Sequence, residues 1–174
     1  TLIAEDDFSY DPEYTAEYQE VDFSGEKVDE ILVSPDLSMA FVHSDNAVNI
    51  YDISDEFSFD FKAKIIPTNK SQVFTSMALL SGGSSVLLGD SNGQVSQWFE
   101  VSTEQGRQFK QIRTFDVSEF EAVSHIYTEQ YRKSFYTMTK SGEMGVFYTT
   151  SEADLWRGEI SESLPSTFAI APRA

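Results

Sequence analysis

The stretch Asn92-Gly93-Gln94-Val95-Ser96-Gln97-Trp98 decides the reading of this chain, because it occurs three times in related form. Its companions are Asp45-Asn46-Ala47-Val48-Asn49-Ile50-Tyr51 upstream and Ser141-Gly142-Glu143-Met144-Gly145-Val146-Phe147 downstream. Each is a tight turn followed by a short strand-like run that carries an aromatic. Tyr51 and Trp98 stand 47 positions apart, and Trp98 and Phe147 stand 49 apart. A repeat of that period marks stacked supersecondary units. Asn46, Asn92, Gly93 and Gly142 are the predicted hairpin-turn residues, since Asn and Gly tolerate the positive φ that such turns require.

Around each turn the same order of short runs recurs. In the first unit, Glu30-Ile31-Leu32-Val33 reads as a buried strand that Ser34-Pro35-Asp36 ends with turn chemistry. Ser38 to His43 alternates, with Met39, Phe41 and His43 on one face and Ala40 and Val42 on the other. Val48 to Ile53 and Phe59 to Ile66 complete the unit. The second unit offers Thr75–Leu80, Ser85–Leu88, Gln94–Val101 and Gln108–Val117. The third offers Val123–Thr128, Ser134–Thr139, Glu143–Thr149 and Leu155–Ile160. Phe168-Ala169-Ile170-Ala171-Pro172 matches the opening of the first unit, so a fourth begins there. One helical turn is predicted over Ser151 to Trp156.

Four short antiparallel strands per unit of this length is the pattern of a propeller blade. The expected fold is all-β: a partial β-propeller of about three four-stranded blades, at 29–67, 74–117 and 123–161, with a further blade starting at 167–174. Tyr51, Trp98 and Phe147 are expected between blades, as structural aromatics rather than ligand platforms, because a lone blade cannot bury its own apolar faces. Residues 1–24 stand apart, with eight acids and no base. The stretch to Pro12 reads as a solvated linker, and Tyr14 to Phe23 as an edge or closing strand.

The chain has 174 residues, 29 acids against 12 bases and a net charge of -17. Nucleic acid is therefore excluded as a partner, since a phosphate backbone demands cations. An anionic membrane surface is disfavoured for the same reason. No apolar run approaches a membrane span. Cysteine is absent, which removes disulfides and thiolate metal sites. The chain opens at Thr1 without Met, as a piece cut from a longer polypeptide would.

Catalytic patterns are missing. His43 and His125 lie on strand-like runs and read as packed histidines. Gly82-Gly83-Ser84-Ser85 lacks the spacing of a nucleophile elbow. Asp90-Ser91-Asn92-Gly93 has the opening of a calcium loop but not its later ligands, and reads as a hairpin turn. No catalytic, cofactor-binding or metal-ligating residue is assigned, and the chain is read as no enzyme.

Turn followed by Val48-Asn49-Ile50-Tyr51-Asp52 resembles the third strand and terminal Trp-Asp of a WD-repeat blade, without that family's Gly-His dipeptide. A narrower resemblance is carried by Ile3-Ala4-Glu5-Asp6-Asp7-Phe8, Ile31–Asp52, Gly89-Asp90-Ser91-Asn92-Gly93-Gln94-Val95 and Phe168–Arg173. These stretches are similar to the large extramembrane insert of enlarged phosphate ABC-transporter permeases, PstC-like subunits of Gram-negative bacteria. The resemblance implies a WD-like segment on the periplasmic side of an inner-membrane protein. It implies a docking or regulatory role in phosphate uptake, with other transporter subunits or the periplasmic phosphate-binding protein as partners. The repeats alone support a general WD-like interaction scaffold unrelated to transport equally well. Exposed blade edges also admit a homodimer.

Overall fold

The computed structural model describes residues 21, 23, 25–44, 46–55, 58–80, 83–129, 133–150, 154–159 and 169. The expected closing strand over 14–23 and the further blade at 167–174 lie almost wholly outside the described residues. So does half of the stretch read as a helical turn. Its described part, Asp154 to Trp156, is extended and belongs to a strand, because it pairs with Val146 and Phe147.

The described residues form twelve strands in three four-stranded sheets. Blade 1 holds β1 (Val28–Val33), β2 (Met39–Ser44), β3 (Ala47–Asp52) and β4 (Asp60–Ile65). Blade 2 holds β5 (Phe74–Leu80), β6 (Ser85–Asp90), β7 (Gln94–Thr103) and β8 (Gly106–Asp116). Blade 3 holds β9 (Val123–Thr128), β10 (Ser134–Thr139), β11 (Glu143–Tyr148) and β12 (Asp154–Glu159). Each blade is an antiparallel meander in chain order. Tight turns between consecutive strands permit no other pairing.

Burial follows position in the blade. Every residue of β2 and of β6 is buried, as expected of a strand that has a neighbour on both edges and material on both faces. The outer strand β8 is mostly exposed and carries Arg107, Lys110 and Arg113. The run Glu30–Val33, expected as a buried strand, is a half-buried one: β1 is the first strand of its sheet, and Ile31 and Val33 are exposed. Apolar side chains from facing sheets meet in two cores. Phe41, Val48, Ile50 and Ile65 of blade 1 pack on Val86 and Leu88 of blade 2. Leu87, Val95 and Phe115 of blade 2 pack with Phe135 and Phe147 of blade 3. Each such side chain contributes about 1.5–3 kcal/mol by leaving water, so the seams between blades hold the array together.

Three bulges recur at one place. The pairing of third with fourth strand slips between Ile50 and Tyr51, between Gln97 and Trp98, and between Val146 and Phe147. In each case the extra residue lies on the fourth strand, at Lys62, Ile112 and Leu155, opposite the repeat aromatic's end of the third strand.

Candidate functional site

The first strand of each blade, β1, β5 and β9, lies on one side of the array, and together they line a groove of about 580 Å3. Two kinds of contact space these strands. Between β5 and β9 the clasp is made of hydroxyls: Thr75 and Ser76 both donate to the Val123 carbonyl at 2.8 Å, and Thr128 donates to the Leu79 carbonyl at 2.7 Å. Between β1 and β5 a carboxylate does the work. Glu30 accepts the backbone N–H of Met77, and burial pushes its carboxyl above the ordinary carboxylate range against that bond.

The rest of the lining is mixed. Leu32, Val33, Met77, Leu79 and Ile126 supply apolar surface, and Ser124, His125 and Tyr127 supply polar tips. His125 stacks on Tyr127 with ring centroids 6.4 Å apart, and its Nδ1 lies 3.0 Å from the Ser124 hydroxyl. Such a concave surface, with polar and apolar groups in similar number, suits a ligand or a protruding partner segment.

A second cleft of similar volume opens between blades 1 and 2, where four charges interlock. Lys62 Nζ lies 3.4 Å from Glu100 and 3.9 Å from Asp52, and Arg107 lies 3.6 Å from Glu100. Hydrogen bonds from the Ser54 hydroxyl and amide lower the Asp52 carboxyl, with the Lys62 and Arg107 charges acting in the same direction. These cations are spent on carboxylates within the fold.

The repeat aromatics occupy unequal surroundings. Phe147 is buried, stacks on Phe135 at 5.3 Å, meets Phe115 of blade 2 edge-on at 6.0 Å and lies under the Arg157 guanidinium at 5.5 Å. Trp98 packs against the core between blades 1 and 2, its Nε1 donating to Ser96 Oγ at 2.9 Å. Both rings look toward the preceding blade. Tyr51 faces the side of blade 1 away from blade 2, and its ring meets Phe59 at 4.3 Å, Phe61 at 6.0 Å and Phe23 at 6.2 Å. No blade precedes it among the described residues, so its own sheet and Phe23 cover it.

The turn residues hold left-handed backbone: φ is 61° at Asn46, 80° at Gly93 and 91° at Gly142. Asn92 sits in the same turn as Gly93, and its N–H donates to Asp90 Oδ1 at 2.7 Å. Asp90 Oδ1 also accepts the Gln94 N–H at 3.1 Å, and its Oδ2 accepts from Gln72 at 2.5 Å. One carboxylate oxygen is therefore committed to the turn and the other to Gln72, ahead of β5. Thr139 plays the same part in blade 3, its hydroxyl accepting the Glu143 N–H at 3.2 Å.

Asn46 does more than turn the chain. Its Nδ2 donates to the Gln72 carbonyl at 2.9 Å, and its Oδ1 accepts the Phe74 N–H at 2.7 Å. Sequence reading missed this clamp, along with Glu30; a carboxylate heading the otherwise apolar run Glu30–Val33 was the available signal for the latter. His43 is buried against the Phe74 ring, with its Nε2 lacking a hydrogen-bond partner, and burial lowers its imidazole below the ordinary range. Among the described residues no group of three or more His, Cys, Asp or Glu is placed to hold a metal ion, and no helix is long and apolar enough to cross a membrane.

No protein-family model matches the sequence, and no curated protein matches it. Solved structures do. The crystal structure of the RRP9 WD40 repeats superposes with a TM-score of 0.65 at 17% identity, over 80% of this chain and 41% of that one. The structure of U3-55K gives a TM-score of 0.65 at 16% identity, over the same shares. The chain thus spans about two fifths of the length of the structures it resembles. At this identity the likeness is one of fold, and the fold is an all-β partial propeller of WD40-type blades.

Proposed function

We propose that this chain is a non-catalytic protein-interaction scaffold. The observation that carries this is the groove along β1, β5 and β9: an open concavity of about 580 Å3 whose walls are braced from blade to blade by Glu30 and by the Thr75, Ser76 and Thr128 hydroxyls. A braced surface loses little conformational entropy when a partner docks. The net charge of -17 selects for a partner with basic surface and speeds the encounter.

The sequence resemblance supplies a narrower setting for the same role. In it the scaffold is the extramembrane, periplasmic domain of a phosphate ABC-transporter permease, docking another transporter subunit or the phosphate-binding protein. That setting rests on the resemblance alone. Apolar membrane-spanning helices flanking this segment in the full-length sequence support it; further blades without such helices remove it.

Hydrogen exchange on the chain with a purified binding partner tests the scaffold. Slowed exchange concentrated at 30–33, 75–79 and 124–128 is the expected result. Protection confined to the outer strands β4, β8 and β12 moves docking away from the groove. Calorimetric titration with inorganic phosphate separates docking from substrate capture: sub-millimolar binding by the chain refutes a purely docking role.

A further inference from the structure

Glu30 has a peculiar place in the groove. It contributes the one carboxylate of the lining, and among the described residues no lysine or arginine forms an ion pair with it. Two lysines of blade 1 are already paired within the fold, Lys27 with Asp29 at 2.6 Å and Lys62 with Glu100 and Asp52. The partner of Glu30 is a single backbone amide, that of Met77. Apolar surface from the partly buried Leu32 and Leu79 continues along the same two strands.

A half-buried carboxylate at the edge of an apolar strip is complementary to a side chain with a cationic end and an apolar stem. Lysine has that form: four methylenes lie along apolar surface while the ammonium meets its counter-charge. We propose that the groove receives a lysine side chain of the docking partner, with the ammonium on the Glu30 carboxylate and the stem against Leu32 and Leu79. This rests on the scaffold reading above and names the group that the scaffold recognises. The ordinary cost of holding a desolvated carboxylate is offset when the cation arrives, so the site discriminates against a neutral side chain of equal length. The acidic character of the whole chain assists approach, while Glu30 fixes where the cation stops.

The test is an amide-shift titration of the full chain with Nα-acetyl-lysine methylamide and its neutral isostere Nα-acetyl-norleucine methylamide. Shifts at 30–32 and 75–79 and about fivefold tighter binding of the lysine amide are expected, an ion-pair advantage that the isosteric Glu30→Gln variant abolishes. Equal binding of the two amides to the unaltered chain overturns the proposal, as does a lysine preference that survives in Glu30→Gln. Tighter binding of the corresponding arginine amide overturns the assignment to lysine. If hydrogen exchange shows a partner protecting the groove while the lysine amide shows no preference, the scaffold reading stands and this inference falls.

Discussion

Asn46 and Phe74 belong to different blades, and the Asn46 Oδ1 accepts the Phe74 N–H at 2.7 Å. The same side chain donates to the Gln72 carbonyl at 2.9 Å. A residue selected for positive φ in one hairpin thereby fixes where the next blade begins. Asn46→Gly keeps the backbone conformation and removes both bonds. It is expected to cost about 1–3 kcal/mol, since two backbone groups lose their partner. Urea unfolding measures it as a lower midpoint at unchanged m. An unchanged midpoint would mean that the clamp contributes nothing.

Gly93 is expected to resist substitution far more than Gly106. Both have positive φ, but a Cβ on Gly93 stands 2.2 Å from the Ser118 carbonyl oxygen and 2.7 Å from that of Glu121, whereas a Cβ on Gly106 meets nothing within 4 Å. Gly106→Ala carries the conformational penalty of about 1–2 kcal/mol. Gly93→Ala adds a backbone clash with the segment leading into blade 3, and its melting temperature should fall well below that of Gly106→Ala. Equal melting temperatures would show that the 118–121 segment yields freely.

The repeat aromatics should rank by their neighbours. Phe147→Ala opens a cavity among Phe115, Phe135 and Arg157 and is expected to cost about 3–5 kcal/mol. Tyr51→Ala, at a half-buried ring whose partners belong to its own sheet and to Phe23, should cost less. Chemical denaturation of both variants decides the order, and a Tyr51 cost equal to that of Phe147 contradicts it.

His43 makes stability depend on pH in a defined direction. Its imidazole is lowered from 6.5 by burial, so the unfolded chain binds the proton more readily than the fold does. The contribution is complete above the unfolded value and is lost as pH falls through it toward the lower folded value. Between about pH 7.5 and pH 5 the parent should lose more stability than His43→Leu, which has nothing to titrate there. Parallel losses in the two proteins would assign the acid sensitivity elsewhere.

Glu30 acts with the opposite sign. Its carboxyl is raised from 4.5 by burial, so the fold prefers the protonated form, and that preference is lost as pH rises through the folded value. Glu30→Gln is therefore expected to be more stable than the parent at neutral pH, with the gain shrinking toward pH 4.5 and below. Thermal melts across that range check it; a variant less stable at neutral pH shows that the ionised carboxylate holds Met77 better than the amide does.

Strand positions were legible in the sequence because they depend on local rules. Alternation placed Met39, Phe41 and His43 on one face, and the structure aims all three toward blade 2. The run read as Ser85–Leu88 extends to Asp90, because Asp90 caps the following turn with its side chain while still pairing with Phe74. The helical turn drawn over 151–156 failed at Asp154 to Trp156, where pairing with β11 overrides a weak local preference.

Turn chemistry and the period of two are properties of adjacent residues, so the chain carried its strands, its hairpins and its division into blades openly. Which neighbour each repeat aromatic meets was not there to be read: alternation along the third strand gives its face, but only the stacking of blades decides what lies opposite, Phe115 for Phe147 and its own sheet with Phe23 for Tyr51. The Asn46 clamp and the Glu30 brace join residues 28 and 47 positions apart, Asn46 with Phe74 and Glu30 with Met77. Their energies arise only when separate blades stack, and the groove that such stacking creates belongs to no single one of them.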